Sequence, residues 1–270
     1  MRVRPRVTVR VLMGAVALAA VAAWAWAAAR DARGAAHERE CESHLKQLGL
    51  GLHNYHDATG SLPAGTIVND RLPVARRLSW LAVVCRYLWQ GFLILLHELE
   101  ANDAPANLAL QSCTVSVGEP PPPYRPLGEF EHMQCPAHDH AATPGRPSET
   151  DYIGIAGVGP DAPTLPSGHP RAGVFGDERA TRFAEIRDGL AHTMVVAETA
   201  DRNGPWTFGG PSTVRGVDPA RRPYVGKGRP FGGMHRGGAL VLMADGSVRK
   251  VGPTQAPSVF EAMATVAAGD

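Results

Sequence analysis

The sequence predicts an α+β protein, with helix gathered at the N-terminus and strand towards the C-terminus. Two observations carry that reading. No proline falls between Val11 and Ser61, where an uncharged run gives way to an amphipathic pattern. From Thr150 onward, short apolar runs alternate with Gly-rich turns, which reads as β structure. Composition agrees: 30 Gly and 23 Pro beside 6% aromatics imply many turns around a modest core, not a helical bundle.

The first element is the most readable. Arg2, Arg4, Arg6 and Arg10 precede the uncharged run Val11 to Ala29, and Arg30 and Asp31 close it. At about 1.5 Å per residue the run makes a helix of roughly 28 Å, enough to cross a hydrocarbon core. Trp24 and Trp26 suit the interfacial aromatic belt, and the leading arginines predict a cytoplasmic N-terminus with the rest of the chain exported. Ala25-Trp26-Ala27 resembles a cleavage site, but the run exceeds the roughly 7–15 residues of a signal core. A retained single-pass anchor in the inner (cytoplasmic) membrane is therefore expected, with a cleaved and exported form as the alternative.

Glu38 to Tyr55 continues as an amphipathic helix. Cys41, Leu45, Leu48, Leu52 and Tyr55 recur at spacings of three and four and share one face. Gly49 and Gly51 weaken the helix and allow another element to approach closely. The turn residues of Asp57 to Gly65 stop it near His56–Thr59. Anchor and amphipathic half together form a rod of roughly 65–70 Å. The chain thus divides into an N-terminus (1–10), a transmembrane segment (11–29), a continuation helix (30–58) and an exported domain (59–270).

Leu78 to Leu99 is apolar but interrupted by Arg86, Gln90 and Gly91, so a buried helix or helix pair is expected, not a second span. Pro120 to Pro123 belongs to an extended connection. Tyr152–Ile155, Met194–Glu198, Ala239–Met243 and Val248–Val251 are the expected strands. Alternation across the last two and the turn at Asp245-Gly246, read as supplying positive-φ positions, make a hairpin.

Some functions are excluded. With 27 Lys and Arg against 26 Asp and Glu there is no general field for nucleic acid. His97-Glu98 lacks the second histidine of a zincin, Gly154-x-x-Gly157-x-Gly159 has the wrong spacing for a dinucleotide loop, and no P-loop or G-x-S-x-G occurs. No enzyme and no cofactor are expected.

Six motifs occur in an order that carries a resemblance. They are ECESHLKQLGLGLHNYHDATGSLPAG (Glu40 to Gly65); Ser79-Trp80 with Tyr87-Leu88; Cys135-Pro136; Thr150-Asp151-Tyr152 to Gly157; Asp188-Gly189 with Thr193 and Glu198; and His235, nine residues, then Asp245-Gly246. From about Cys41 to Val251 the chain resembles the planctomycete prepilin-related family of unknown function, with its closing H-x9-DG motif. The resemblance implies a pilin-like fold, in which the second half of a long helix packs on a mainly antiparallel sheet with long loops. It also implies a pseudopilin-like assembly protein acting through contacts with other pilin-like or secretion-machinery subunits. An exported binding module for a small ligand or divalent ion is the alternative. The motif residues carried over as structural are Cys41, Leu45, Lys46, Gln47, His53, Asn54, Tyr55, His56, Asp57, Trp80, Cys135, Pro136, Tyr152, Asp188, Gly189, Glu198, His235, Asp245 and Gly246. Two departures stand out. The Gly14 to Ala19 stretch lacks the Phe and Glu of a prepilin peptidase site, and Leu190-Ala191-His192 replaces an expected Thr-Ser-Asn.

The resemblance also favours Cys41 and Cys135 as a disulfide, because both fall at family positions. Cys113 with Cys135 is the rival pairing. His132, Cys135, His138 and His140 form a weak metal-ligand cluster, outweighed by their place in a Pro-rich polar loop, so no metal is expected. His53 and His56 are read as helix-end hydrogen bonders, and His235 as a residue that bonds neighbouring backbone.

Overall fold

A computed structural model describes residues 9–88, 114–115, 125–126, 131–140 and 149–267. Arg2, Arg4, Arg6, His97-Glu98, Cys113 and Pro120 to Pro123 lie outside the described residues.

Helix α1 runs unbroken from Val9 to Thr59. It ends where expected: Gly60 takes φ +82° and donates its N–H to the His56 carbonyl, while the Thr59 hydroxyl donates to the Tyr55 carbonyl. The two halves differ in surroundings. Leu12, Val16, Val21, Trp24 and Trp26 are all exposed, whereas Cys41, Leu45, Leu48 and Leu52 are buried. The first polar ties to the rest of the fold are Asp31 with Arg236 and Glu38 with Lys250, each at 2.8 Å.

Helix α2 (Trp80–Leu88) lies across α1 and realises the first part of the apolar block expected from Leu78. The close approach comes at Gly51, where a Cβ would meet Leu88 Cδ2 at 2.6 Å and Val84 Cγ1 at 2.7 Å. A side chain there would force Leu88 and Val84 to shift.

Two short strands, β1 (Thr114–Val115) and β2 (Arg125–Pro126), pair with each other. The main sheet holds β3 (Tyr152–Val158), β4 (Met194–Glu198), β5 (Val214–Val217), β6 (Ala239–Met243) and β7 (Val248–Val251), in the order β5-β3-β4-β6-β7. All its pairings are antiparallel except β3 with β5. All four expected strands are present, β3 being longer. The parallel edge strand β5 was not expected from Val-Arg-Gly-Val, which is short and broken by Gly216. That glycine is required because a Cβ there would meet the Gly159 carbonyl oxygen at 2.0 Å.

The sheet is covered on both faces. Leu240 and Leu242 pack with Leu45, Leu48 and Leu52 of α1, while Ala239, Val241 and Met243 pack with Tyr224, Phe231 and Phe260. Phe260 belongs to the short C-terminal helix α3 (Pro257–Met263). This corrects the expected alternation in β6: with both faces buried, every position of Ala-Leu-Val-Leu-Met is apolar. The β6–β7 turn is corrected too. Gly246 has φ +84° and donates to the Met243 carbonyl, but Asp245 has no positive φ. Asp245 instead accepts from the Ser247 N–H and hydroxyl.

Candidate functional site

Four of the motif residues, from four separate segments, converge. Cys41 projects from the buried face of α1. Cys135 follows a single 3₁₀ turn (Glu131–Met133), and its loop is fixed by two bonds: its N–H donates to Asp151 at 2.6 Å and its carbonyl accepts from His138 N–H at 2.9 Å. Glu198 ends β4, and His235 lies just before β6. The two sulfurs are 2.9 Å apart, Cys135 Sγ is 3.3 Å from His235 Nε2, and His235 Nε2 is 3.4 Å from Glu198 Oε1. One donor atom from each residue lies within 4.8 Å of all the others. Cys41 and Glu198 are fully buried, Cys135 is 1% exposed and the His235 side chain 2% exposed.

The electrostatics of this cluster follow from its dryness. The Cys41 thiol is pushed well above its usual range by its hydrogen bond with Cys135 and by burial. Burial opposes charge on His235, but hydrogen bonding to Cys41 and Glu198 outweighs it and raises the imidazole to about 10. Glu198 Oε2 accepts the Leu240 N–H at 2.9 Å, whereas Glu198 Oε1 makes no well-aligned hydrogen bond and faces His235 Nε2 at 3.4 Å.

The expected Cys41–Cys135 pair is thus brought together, as two thiols in hydrogen-bond contact. His235 differs from expectation: its side chain faces a sulfur and a carboxylate, not neighbouring backbone. The His132, Cys135, His138 and His140 group does not meet at one point. His132 lies against His44 with ring centroids 5.0 Å apart, while His138 Nδ1 and His140 Nε2 each sit 2.7 Å from Asp151. Asp151 also accepts from Asn203. Burial works to raise the Asp151 carboxyl, but hydrogen bonds from His138, His140 and the Cys135 N–H hold it below its usual range. His138 in turn is raised by its bond to Asp151. Asp151 lies inside the Thr-Asp-Tyr motif but was not singled out, and nothing in the sequence around Asn203 marks it.

The remaining motif residues are structural in their contacts. His53 Nε2 lies 3.0 Å from the Ala244 carbonyl, and His56 stacks on Phe183 with centroids 4.0 Å apart. Asn54 donates to the Tyr87 carbonyl, and Tyr55 meets the Tyr87 ring edge-on. Trp80 donates to the Thr213 carbonyl at 2.9 Å, and Lys46 pairs with Glu42. Gly189 takes φ +93°, and its carbonyl accepts the Thr193 hydroxyl. Asp57 is exposed at the helix end.

Fold and site together define an α+β protein whose N-terminal helix is long and apolar enough to cross a membrane. Residues 30–218 match the family described as protein of unknown function, DUF1559, and the chain belongs to that family. His235 and Asp245-Gly246 lie beyond the matched residues. Neither the curated proteins nor the solved structures contain a match.

Proposed function

We propose that the protein is a membrane-anchored, pseudopilin-like structural subunit that works through protein contacts at the cell envelope and not through turnover. The observation that carries this reading is the division of α1. One uninterrupted helix has an apolar, uncovered first half and a second half that forms the centre of a folded domain. An exposed run containing Leu12, Val16, Leu18 and Val21 is unfavourable in water and favourable in hydrocarbon. The helix carries that run straight into the core, so the domain is held rigidly at the bilayer, as a subunit that stacks through its helix requires.

In this reading the N-terminus is cytoplasmic and the domain is exported across the inner membrane. A periplasm-active reporter fused after Asp270 is expected to be active, and the full chain should resist carbonate extraction. Cross-linking in native membranes followed by purification should recover pilin-like or secretion-machinery subunits. Recovery of the chain alone, or a carbonate-soluble chain, would overturn the assembly role or the anchor respectively.

A further inference from the structure

We propose that Cys41, Cys135, His235 and Glu198 are the ligands of a structural zinc ion that ties the N-terminal helix to the sheet. The proposal goes beyond the assembly reading and does not depend on it. Two sulfurs, one imidazole nitrogen and one carboxylate oxygen are a donor set suited to tetrahedral zinc, and too soft for calcium or magnesium. Bonds of about 2.0–2.3 Å in a tetrahedron set neighbouring donors roughly 3.3–3.8 Å apart. The Cys135–His235 and His235–Glu198 separations, 3.3 and 3.4 Å, already match. The sulfurs, at 2.9 Å, must spread by roughly 0.9 Å, which a small side-chain rotation supplies.

A second observation points to a ligand. Glu198 Oε1 is buried and aimed into the cluster, with no well-aligned hydrogen bond and only a long 3.4 Å contact to His235 Nε2. A buried carboxylate oxygen held by so long a contact is under-satisfied, and a cation bound between it and His235 would satisfy it. The outer contact is also built, because the Leu240 N–H holds Oε2 and so orients Oε1 inward. A Cys41–Cys135 disulfide would satisfy the sulfurs and leave that oxygen as it is. Access exists: an open groove of about 380 Å³, lined by Glu40, His44 and the Cys135 to His140 loop, reaches Cys135.

Among the described residues a second group of ligating type, His138, His140 and Asp151, is a weaker candidate. Asp151 already accepts from His138, His140, Asn203 and the Cys135 N–H, which fills the four lone-pair sites of a carboxylate. That cluster positions the Cys135 loop and so supports the zinc site without being one.

The test uses the full chain, extracted in detergent and purified without chelator. Elemental analysis should find about one zinc per chain. His235→Gln should weaken zinc retention by at least about tenfold, and Cys135→Ser should abolish it. Both substitutions also alter the core, so a measurement on the unaltered protein is needed. Exchange with Co²⁺ should produce a thiolate-to-cobalt charge-transfer band, and chelation should lower its Tm. Purified protein without stoichiometric metal, without that band, or with a Cys41–Cys135 linked peptide in a non-reducing map would overturn the proposal.

Discussion

Asp201 shows how one carboxylate organises several cations. Its Oδ2 lies 2.6 Å from Arg221, 3.1 Å from Arg202 and 3.4 Å from the buried Arg215. Burial works to raise the Asp201 carboxyl, but the bonds from Arg221 and Arg202 outweigh it and hold it below its usual range. The Arg215 guanidinium is lowered to about 10, by burial first and then by Arg202. A carboxylate depressed in the folded state contributes stability above its unfolded value of about 3.9, and that contribution is lost as pH falls through its folded value. Asp201→Asn should therefore cost about 1.5–3 kcal/mol at neutral pH. The difference between variant and parent, read from denaturant melts, should shrink to nothing in strong acid. A difference independent of pH would mean that the arginines do not depend on this charge.

Two elements decide the fold, and each has a discriminating substitution. The buried stripe of α1 is the first. Leu48 is 2% exposed, so Leu48→Asp places an unpaired carboxylate in the core at a cost of several kcal/mol, on the order of total domain stability. Glu42→Ala removes an exposed pair with Lys46 and should cost less than about 1 kcal/mol. Circular dichroism melts of the two variants check this, and equal tolerance would mean that α1 is not the core element. The β6–β7 hairpin is the second. Gly246 sits at φ +84°, so Gly246→Val should cost about 2 kcal/mol or more. Asp245→Asn keeps an oxygen to accept from Ser247 and should leave the melt nearly unchanged.

At the scale of the whole molecule, the helix and the domain are one piece with two solvents. Buried contacts of α1 begin at Cys41; of the two ion pairs described ahead of it, Glu38 with Lys250 survives removal of the apolar half and the exposed pair of Asp31 with Arg236 is lost. An exposed pair of this kind is worth about 0–1 kcal/mol. A chain starting at Ala36 should therefore keep the melting temperature of the detergent-held parent within a few degrees and be soluble without detergent. Sedimentation after membrane preparation, with a melt of each form, is the measurement. Loss of folding on truncation would show that the apolar half supports the domain directly.

The rod was legible because it depends on local facts. A proline-free stretch, an uncharged run, a stripe at spacings of three and four and a glycine stop are each written within a few residues of one another. The strands were legible as apolar runs between glycines, and Gly51 as a place of close approach. What the sequence could not show was which face of the sheet each strand residue covers. That depends on α3 and the Tyr224–Phe231 segment arriving to bury the second face, which turned an expected alternation into an all-apolar β6. The parallel strand β5 was hidden for a similar reason, since its four residues gain meaning only beside β3. Cys41, Cys135, Glu198 and His235 were each visible as members of separate motifs. Their meeting was not, because Cys41 and Cys135 lie 94 positions apart and Cys135 and His235 100 apart. The residues and their chemistry were determined by the sequence, while only packing the helix onto the sheet brought two sulfurs, an imidazole and a buried carboxylate oxygen together.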